Sequence, residues 1–307
     1  MRAGLIFALA LAGCSVAPPP AVEVSRAAFL QEAHPLAGVI WDVEAGREID
    51  ADTLGARLSA ADVAILGEIH DNPRHHTRQA EMVAAIEPAG LALEMVPEAS
   101  EEGIAVFLDQ GGGRGEIGPA IGWNRLGWPD WALYRPIFEA APRAEIAGGA
   151  VPAPVLTKAI RQGAQAAFGV GAARYALDRA PDASTQIALE DEMIAAHCNK
   201  LPRSAAGGMV EAQRLRDARF AAAVERAHRS GGPTVLITGN GHARSDRGVP
   251  AYLAASRPEL RVAVLGQVEV REGLTRPAEY AGAEGLPYDY VWFSARFDRP
   301  DPCASFN

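Results

Sequence analysis

The chain has 307 residues, of which 49% are hydrophobic, and a formal charge of −9. That length and apolar content are ordinary for a globular protein and give room for one large domain or two small ones with a full core. An acidic surface repels phosphate backbones, which excludes nucleic acid as a partner.

The chain opens on MRAGLIFALALAGC, with one basic residue, Arg2, ahead of an apolar run from Ala3 to Ala12. The run is too short for a stable bilayer anchor and reads as an export signal over residues 1–13. Its ending, LAGC, resembles the lipobox of bacterial lipoproteins, which implies cleavage before Cys14 and lipid on that sulfur. Residues 14–35 then form the lipidated end and a Pro-rich tether that cannot become a helix. With Cys14 committed, Cys198 and Cys303 are left in an oxidising compartment. A disulfide between them is open, although sequence does not give their separation. No later stretch is long and apolar enough to cross a membrane.

GVIWDVEAGREI (38–49) reads as a hairpin with EAG in its turn. The runs DVAIL (62–66), GLALEM (90–95), PTVLIT (233–238) and LRVAVL (260–265) are continuously apolar and stop at Gly or polar residues. Strands buried on both faces of a parallel sheet have this pattern. Asn72 is an N-cap and Pro73 the first residue of a helix that reaches Glu87 and is closed by Pro88. From Ala153 to Arg229 only helical patterns occur. One spans 183–198, with Ile187, Glu190, Ile194 and His197 on a stripe. A second spans 208–229, with Met209, Gln213, Arg216, Phe220 and Val224 on a stripe. A further helix begins near Val249–Pro250, and DYVWFSARF (289–297) reads as a final edge strand. The expected fold is α/β: a mainly parallel sheet flanked by helices, with a smaller all-helical insertion or cap. The sheet domain would take residues 36–152 and 231–307, the helical subdomain residues 153–230.

In open α/β sheets ligands bind beyond the carboxyl ends of the strands. Three of the expected strands deliver ionisable residues there: Glu68 and His70, then Glu94, then His242 in the turn GNGH. Carboxylates and imidazoles in one place can move protons or hold a divalent metal ion near neutral pH. Glu68, His70, Glu94 and His242 are therefore the catalytic set if the chain is an enzyme, and Glu68, His70 and His242 the metal set. His75 and His76 stand in the first turn of the following helix, where an imidazole is often merely solvated. The glycine-rich GGGRGEIG (111–118) and GNGHAR (239–244) lack the spacing of nucleotide-binding loops.

In chain order, LGEIHDNPRHH, LALEM, WALYRPI, AHCNKLP, MVEAQRLRDA and ITGNGHARSDRGVP resemble the ChaN family of haem-binding lipoproteins. That family shares a superfamily with the Tiki and TraB proteins, and erythromycin esterases are related to it. The likeness runs from Leu54 to Leu265. It implies haem binding linked to iron uptake, with haem at a homodimer interface, held through a tyrosine and with a histidine near the propionates. Tyr134 and Tyr175 are the candidate axial ligands and His197 the candidate for meeting a propionate or supporting a ligand, with His70 also in the haem-binding set. An outer-membrane haem receptor would be a partner, and the lipid would hold the protein at the outer membrane on its periplasmic side. Two departures stand out: AEIAGGAV (144–151) lacks the Asn that usually follows this strand, and the helix before AHC lacks a Tyr. The alternative is a metal-dependent hydrolase of peptide or ester bonds built on the Glu/His cluster.

Overall fold

The computed structural model describes residues 28–282, 285–301 and 303–304. Signal peptide, lipobox and most of the tether lie outside them. The chain is held in the fold from residue 28, earlier than the boundary expected at 36, because β1 (Phe29–Leu30) pairs with a strand near the C-terminus.

The hairpin forms as expected, from β2 (Ile40–Asp42) and β3 (Arg47–Ile49). Helix α1 (Ala51–Ser59) is capped by the Asp50 carboxylate and leads into β4 (Val63–Glu68). Helix α2 (Pro73–Ile86) starts at Asn72, whose side chain accepts from the Arg74 N–H at 3.0 Å, and ends at Glu87 in the left-handed region with Pro88 next. Strand β5 (Gly90–Pro97) follows, then α3 (Glu101–Asp109), α4 (Ile117–Ile121), α5 (Trp131–Glu139) and β6 (Glu145–Ala150). Four helices come next: α6 (Ala153–Gln162), α7 (Ala164–Phe168), α8 (Ala183–Ala196) and α9 (Arg203–Ala227). The chain then forms β7 (Thr234–Gly239), α10 (Asn240–Ala243), α11 (Val249–Ser256) and β8 (Val262–Glu269). It closes with β9 (Tyr290–Ser294) and β10 (Arg296–Phe297), the partner of β1.

Eight strands make one sheet in the order β3-β2-β9-β8-β4-β7-β5-β6. The run from β9 to β6 is parallel, and only the hairpin side is antiparallel. The fold is thus the expected α/β class, with one correction. The strand expected at an edge, β9, lies inside the sheet, between β2 and β8. Its alternation suits either place, and long-range pairing decides.

Side chains alternate across the sheet, and this parity positions the site. Ala64 and Leu66 of β4, with Leu91 and Leu93 of β5, face the layer of α1, α2 and α5. Val63, Ile65 and Ala92 face the layer of α9 and α11. Continuing the count, Glu68 points toward α2 and α5, whereas Glu94 points toward α9. Glu68 is in register with Gly239 of β7, and Leu93 with Ile237, so both carboxylates emerge at the same end of the two strands that flank β7. No helix among the described residues is long and apolar enough to cross a membrane.

Candidate functional site

The strand ends bring together Glu68, His70, Glu94 and His242. Glu68 is fully withdrawn from solvent, and its Oε1 accepts from the Tyr134 hydroxyl at 2.9 Å and from His70 Nδ1 at 2.7 Å. His76 Nε2 donates to the His70 carbonyl at 2.8 Å. That leaves His76 Nδ1 facing Glu68 Oε2 at 3.3 Å, and neither atom makes a hydrogen bond elsewhere. On the opposite side, Glu94 Oε2 accepts from Thr238 Oγ1 at 2.7 Å and from the Gly239 N–H at 2.8 Å. Its Oε1 lies 3.6 Å from His242 Nε2 and 4.0 Å from His70 Nε2. His242 Nδ1 donates to Asp217 Oδ1 at 2.5 Å, with the Gln213 amide 3.1 Å from the same nitrogen.

His70 therefore spans the end of the sheet, bonded to the carboxylate of one layer and facing the carboxylate of the other. Gly239 permits this, because a Cβ there would lie 2.9 Å from His70 Nε2. At Gly67 a Cβ would lie 2.4 Å from Asn240 Oδ1, which itself accepts from the Gln267 N–H.

The charges follow from these contacts. Burial opposes charge on Glu68, but His76, His70 and Tyr134 outweigh it and hold the carboxyl below its usual range. Burial likewise opposes charge on His70, and Glu68 and Glu94 reverse that, lifting the imidazole to about 9. His242 rises for the same reason, through Glu94 and Asp217, against its own desolvation. Burial raises Asp217 against the opposing pull of His242. Tyr134 stays a phenol, since burial and the adjacent Glu68 push its ionisation far above the usual range.

His75 and His76 are buried rather than solvated. His75 Nδ1 accepts from the Ile69 N–H at 2.9 Å and Nε2 donates to Ser294 Oγ at 2.8 Å, so it locks the turn after β4. Burial holds it neutral, well below the usual imidazole range. His76 joins the cluster. The sequence reading missed this, and it missed Asp217. The available signal was a carboxylate four residues after Gln213 in an alanine-rich helix, where a buried charge requires a partner.

Beside the cluster lies a cavity of about 320 Å³. Helix α8 gives one wall through Leu189, Met193 and Ala196; Val210 of α9 and Tyr252 of α11 line it as well. Gln213 and Asp217 also line it, so it backs onto His242, and Arg214 and Arg247 add positive charge. Helix α8 has no buried side chain, and its Ile187 is 57% exposed. Leu189, Met193 and Ile194 are half-buried, which leaves Ile187 as the exposed large apolar side chain of this helix.

The family description "Haem-binding uptake, Tiki superfamily, ChaN" matches residues 54–253. The chain belongs to this family. A solved structure described as cofacial heme binding to ChaN of Campylobacter jejuni is similar, with a TM-score of 0.63 at 18% identity over 82% of this chain and 95% of that one. The type III effector HopBA1 gives a TM-score of 0.46 at 13% identity, covering 80% of this chain and 93% of its own. No curated protein matches the chain. At these identities the structural likeness to ChaN shows the shared fold.

The ChaN family implies haem, and the α8–α9 cavity offers apolar walls for a porphyrin face, while its two arginines are already paired, Arg214 with Glu211 and Arg247 with Glu192. None of the residues expected at haem lines this cavity. Tyr134 is wholly buried, with its hydroxyl given to Glu68. Tyr175 packs on Phe168 in the α9 layer, and burial pushes its hydroxyl up to about 12. His197 caps α8 and its Nδ1 is bonded to the Met193 carbonyl at 2.7 Å. His70 is one-third exposed and packs against Trp128, with ring centroids 4.9 Å apart. Cys198, next in the chain, is joined to Cys303 in a disulfide.

The divalent-metal alternative finds no support. Among the described residues no group of three His, Cys, Asp or Glu side chains is arranged to hold a metal ion.

Proposed function

We propose that this ChaN-family protein is lipid-anchored at Cys14 and binds haem in the α8–α9 slot, serving haem and iron uptake at the bacterial envelope. The observation that carries the proposal is the family match over residues 54–253, together with an apolar cavity lined by Leu189, Met193 and Val210 beside the exposed Ile187 of α8. A porphyrin face would cover these side chains, and its propionates would have to displace Glu211 or Glu192 to reach Arg214 or Arg247. Bound haem would supply the iron. The chain's own residues do the holding: α8 and Val210 would shield the ring from water. The Asp217–His242–Glu94 chain ties α9 to the sheet and fixes the slot floor.

The partners follow from the same surface. A second copy would cover what haem leaves exposed on α8, giving a homodimer that forms on loading. An outer-membrane haem receptor would deliver or accept the ligand, and the lipid would hold the protein on the periplasmic side of that membrane.

The test is a hemin titration of the purified protein, followed by its absorption spectrum. A saturable Soret shift at one haem per chain is expected, and a spectrum matching free hemin throughout would overturn the assignment. Fractionation of cells carrying the Cys14→Ser variant tests the anchor: the variant should leave the membrane fraction, and retention there would count against lipidation.

A further inference from the structure

We infer that the Cys198–Cys303 disulfide is a redox latch on α8: when a dithiol reduces it, α8 comes away from α9, and the cavity between them opens and releases its contents. The latch rests on how α8 is held; that the contents are haem rests on the function proposed above.

Helix α8 forms one wall of the cavity through Leu189, Met193 and Ala196, yet it is weakly held along its length. Leu189, Met193 and Ile194 are only half-buried, and no side chain of the helix is fully so. Its charged contacts are partly or wholly exposed: Glu190 and Asp191 pair with Arg203, and Glu192 pairs with Arg247. Pairs of that kind face water, are screened by salt and add little. The firm attachment is at the end. Cys198 follows the helix cap His197 and is bonded to Cys303, 105 residues on. Cys198 and Asn199 both have left-handed backbone, with φ of 56° and 58°. Helices usually place Gly just past the cap, because a β-carbon crowds that conformation. Here the cross-link holds Cys198 in place instead. The far side of the bond is anchored too: Cys303 comes shortly after Arg299, whose guanidinium holds Asp71 at 2.7 Å and Glu269 at 2.8 Å. One bond thus joins a movable wall to a fixed corner of the sheet.

Both cysteines are half-buried rather than sealed in the core, so a thiolate can reach the bond. The step is a thiol–disulfide exchange. A thiolate of the dithiol attacks one sulfur, forms a mixed disulfide and expels the other cysteine as a thiolate. The reductant's second thiolate then displaces the first cysteine. The reductant ends as a disulfide, and the chain gains two electrons and two protons as the thiols of Cys198 and Cys303. Cys198 is then free to leave its left-handed conformation. The last turn of α8 frays, and the wall made by Met193 and Ala196 goes with it. In an oxidising compartment the latch stays closed.

The experiment follows amide hydrogen exchange in the purified full chain: oxidised, reduced with dithiothreitol, and reoxidised. Reduction should speed exchange across residues 189–196 by about tenfold or more and leave β4 and β7 unchanged, and reoxidation should reverse the change. Reduced protein whose α8 exchanges at the oxidised rate would overturn the latch. The cargo is tested without reductant, which would itself act on iron. Hemin is loaded onto the oxidised wild type and onto Cys198→Ser/Cys303→Ser, and its transfer to apomyoglobin is timed. The variant should release hemin about fivefold faster or more. If exchange responds to reduction while both proteins release hemin at one rate, haem is held outside the cavity and the function proposed above falls, while the latch stands.

Discussion

At residue resolution, the centre of the site is one carboxylate with three neighbours. Glu68 accepts from Tyr134 and His70 and faces His76, all out of water. Removing the phenol hydroxyl takes one donor from a buried charged group. Tyr134→Phe should cost about 1.5–3 kcal/mol, read from urea unfolding; a loss under a few tenths would show that the bond contributes little. His70 gives a pH signature. Its imidazole is raised in the fold to about 9, so the stability it confers is complete below the unfolded value of about 6.5 and is lost as pH rises through 9. The unfolding midpoint should therefore fall across that window, and His70→Gln should flatten the slope. An unchanged slope in the variant would assign the dependence to another group. The sequence showed which residue types gather at the strand ends, because side-chain type and the end of an apolar run are local facts. It did not show Asp217 behind His242, since that contact joins α9 to α10 and depends on tertiary packing.

At the scale of elements, the parallel strands were legible because their apolar runs are uninterrupted, and α2 was legible from Asn72 and Pro73. The inward place of β9 was not, since neighbours in a sheet are chosen by segments distant in the chain. Helix α8 was read with a mixed stripe of Ile187, Glu190, Ile194 and His197, yet none of its side chains is fully buried. Its last turn is instead secured by the bond from Cys198 to Cys303, which lie 105 residues apart. Cysteine count could suggest that pair but not its distance. Replacing both cysteines by serine should lower stability by about 2–4 kcal/mol and speed amide hydrogen exchange in α8 relative to the β4–β7 core. Equal exchange in both proteins would mean that α9 alone holds the helix.

For the molecule as a whole, the acidic charge and the uncovered face of α8 set the expected assembly. Hemin should double the mass observed in sedimentation, and Ile187→Glu should keep the loaded protein monomeric. A loaded wild-type monomer would place the second copy elsewhere or dispense with it.

The pairing of β1 with β10 has a mechanical corollary. The Ala28 carbonyl accepts from the Asp298 N–H at 2.8 Å, and the next residue, Arg299, grips Asp71 and Glu269. The leader thus enters the fold beside the very loop that carries His70. If Cys14 carries lipid as proposed, tension from a membrane would reach this corner first, loading a two-residue strand pair in shear and then the Arg299 clasp. It would tug at the mouth of the cleft before it strained the central strands.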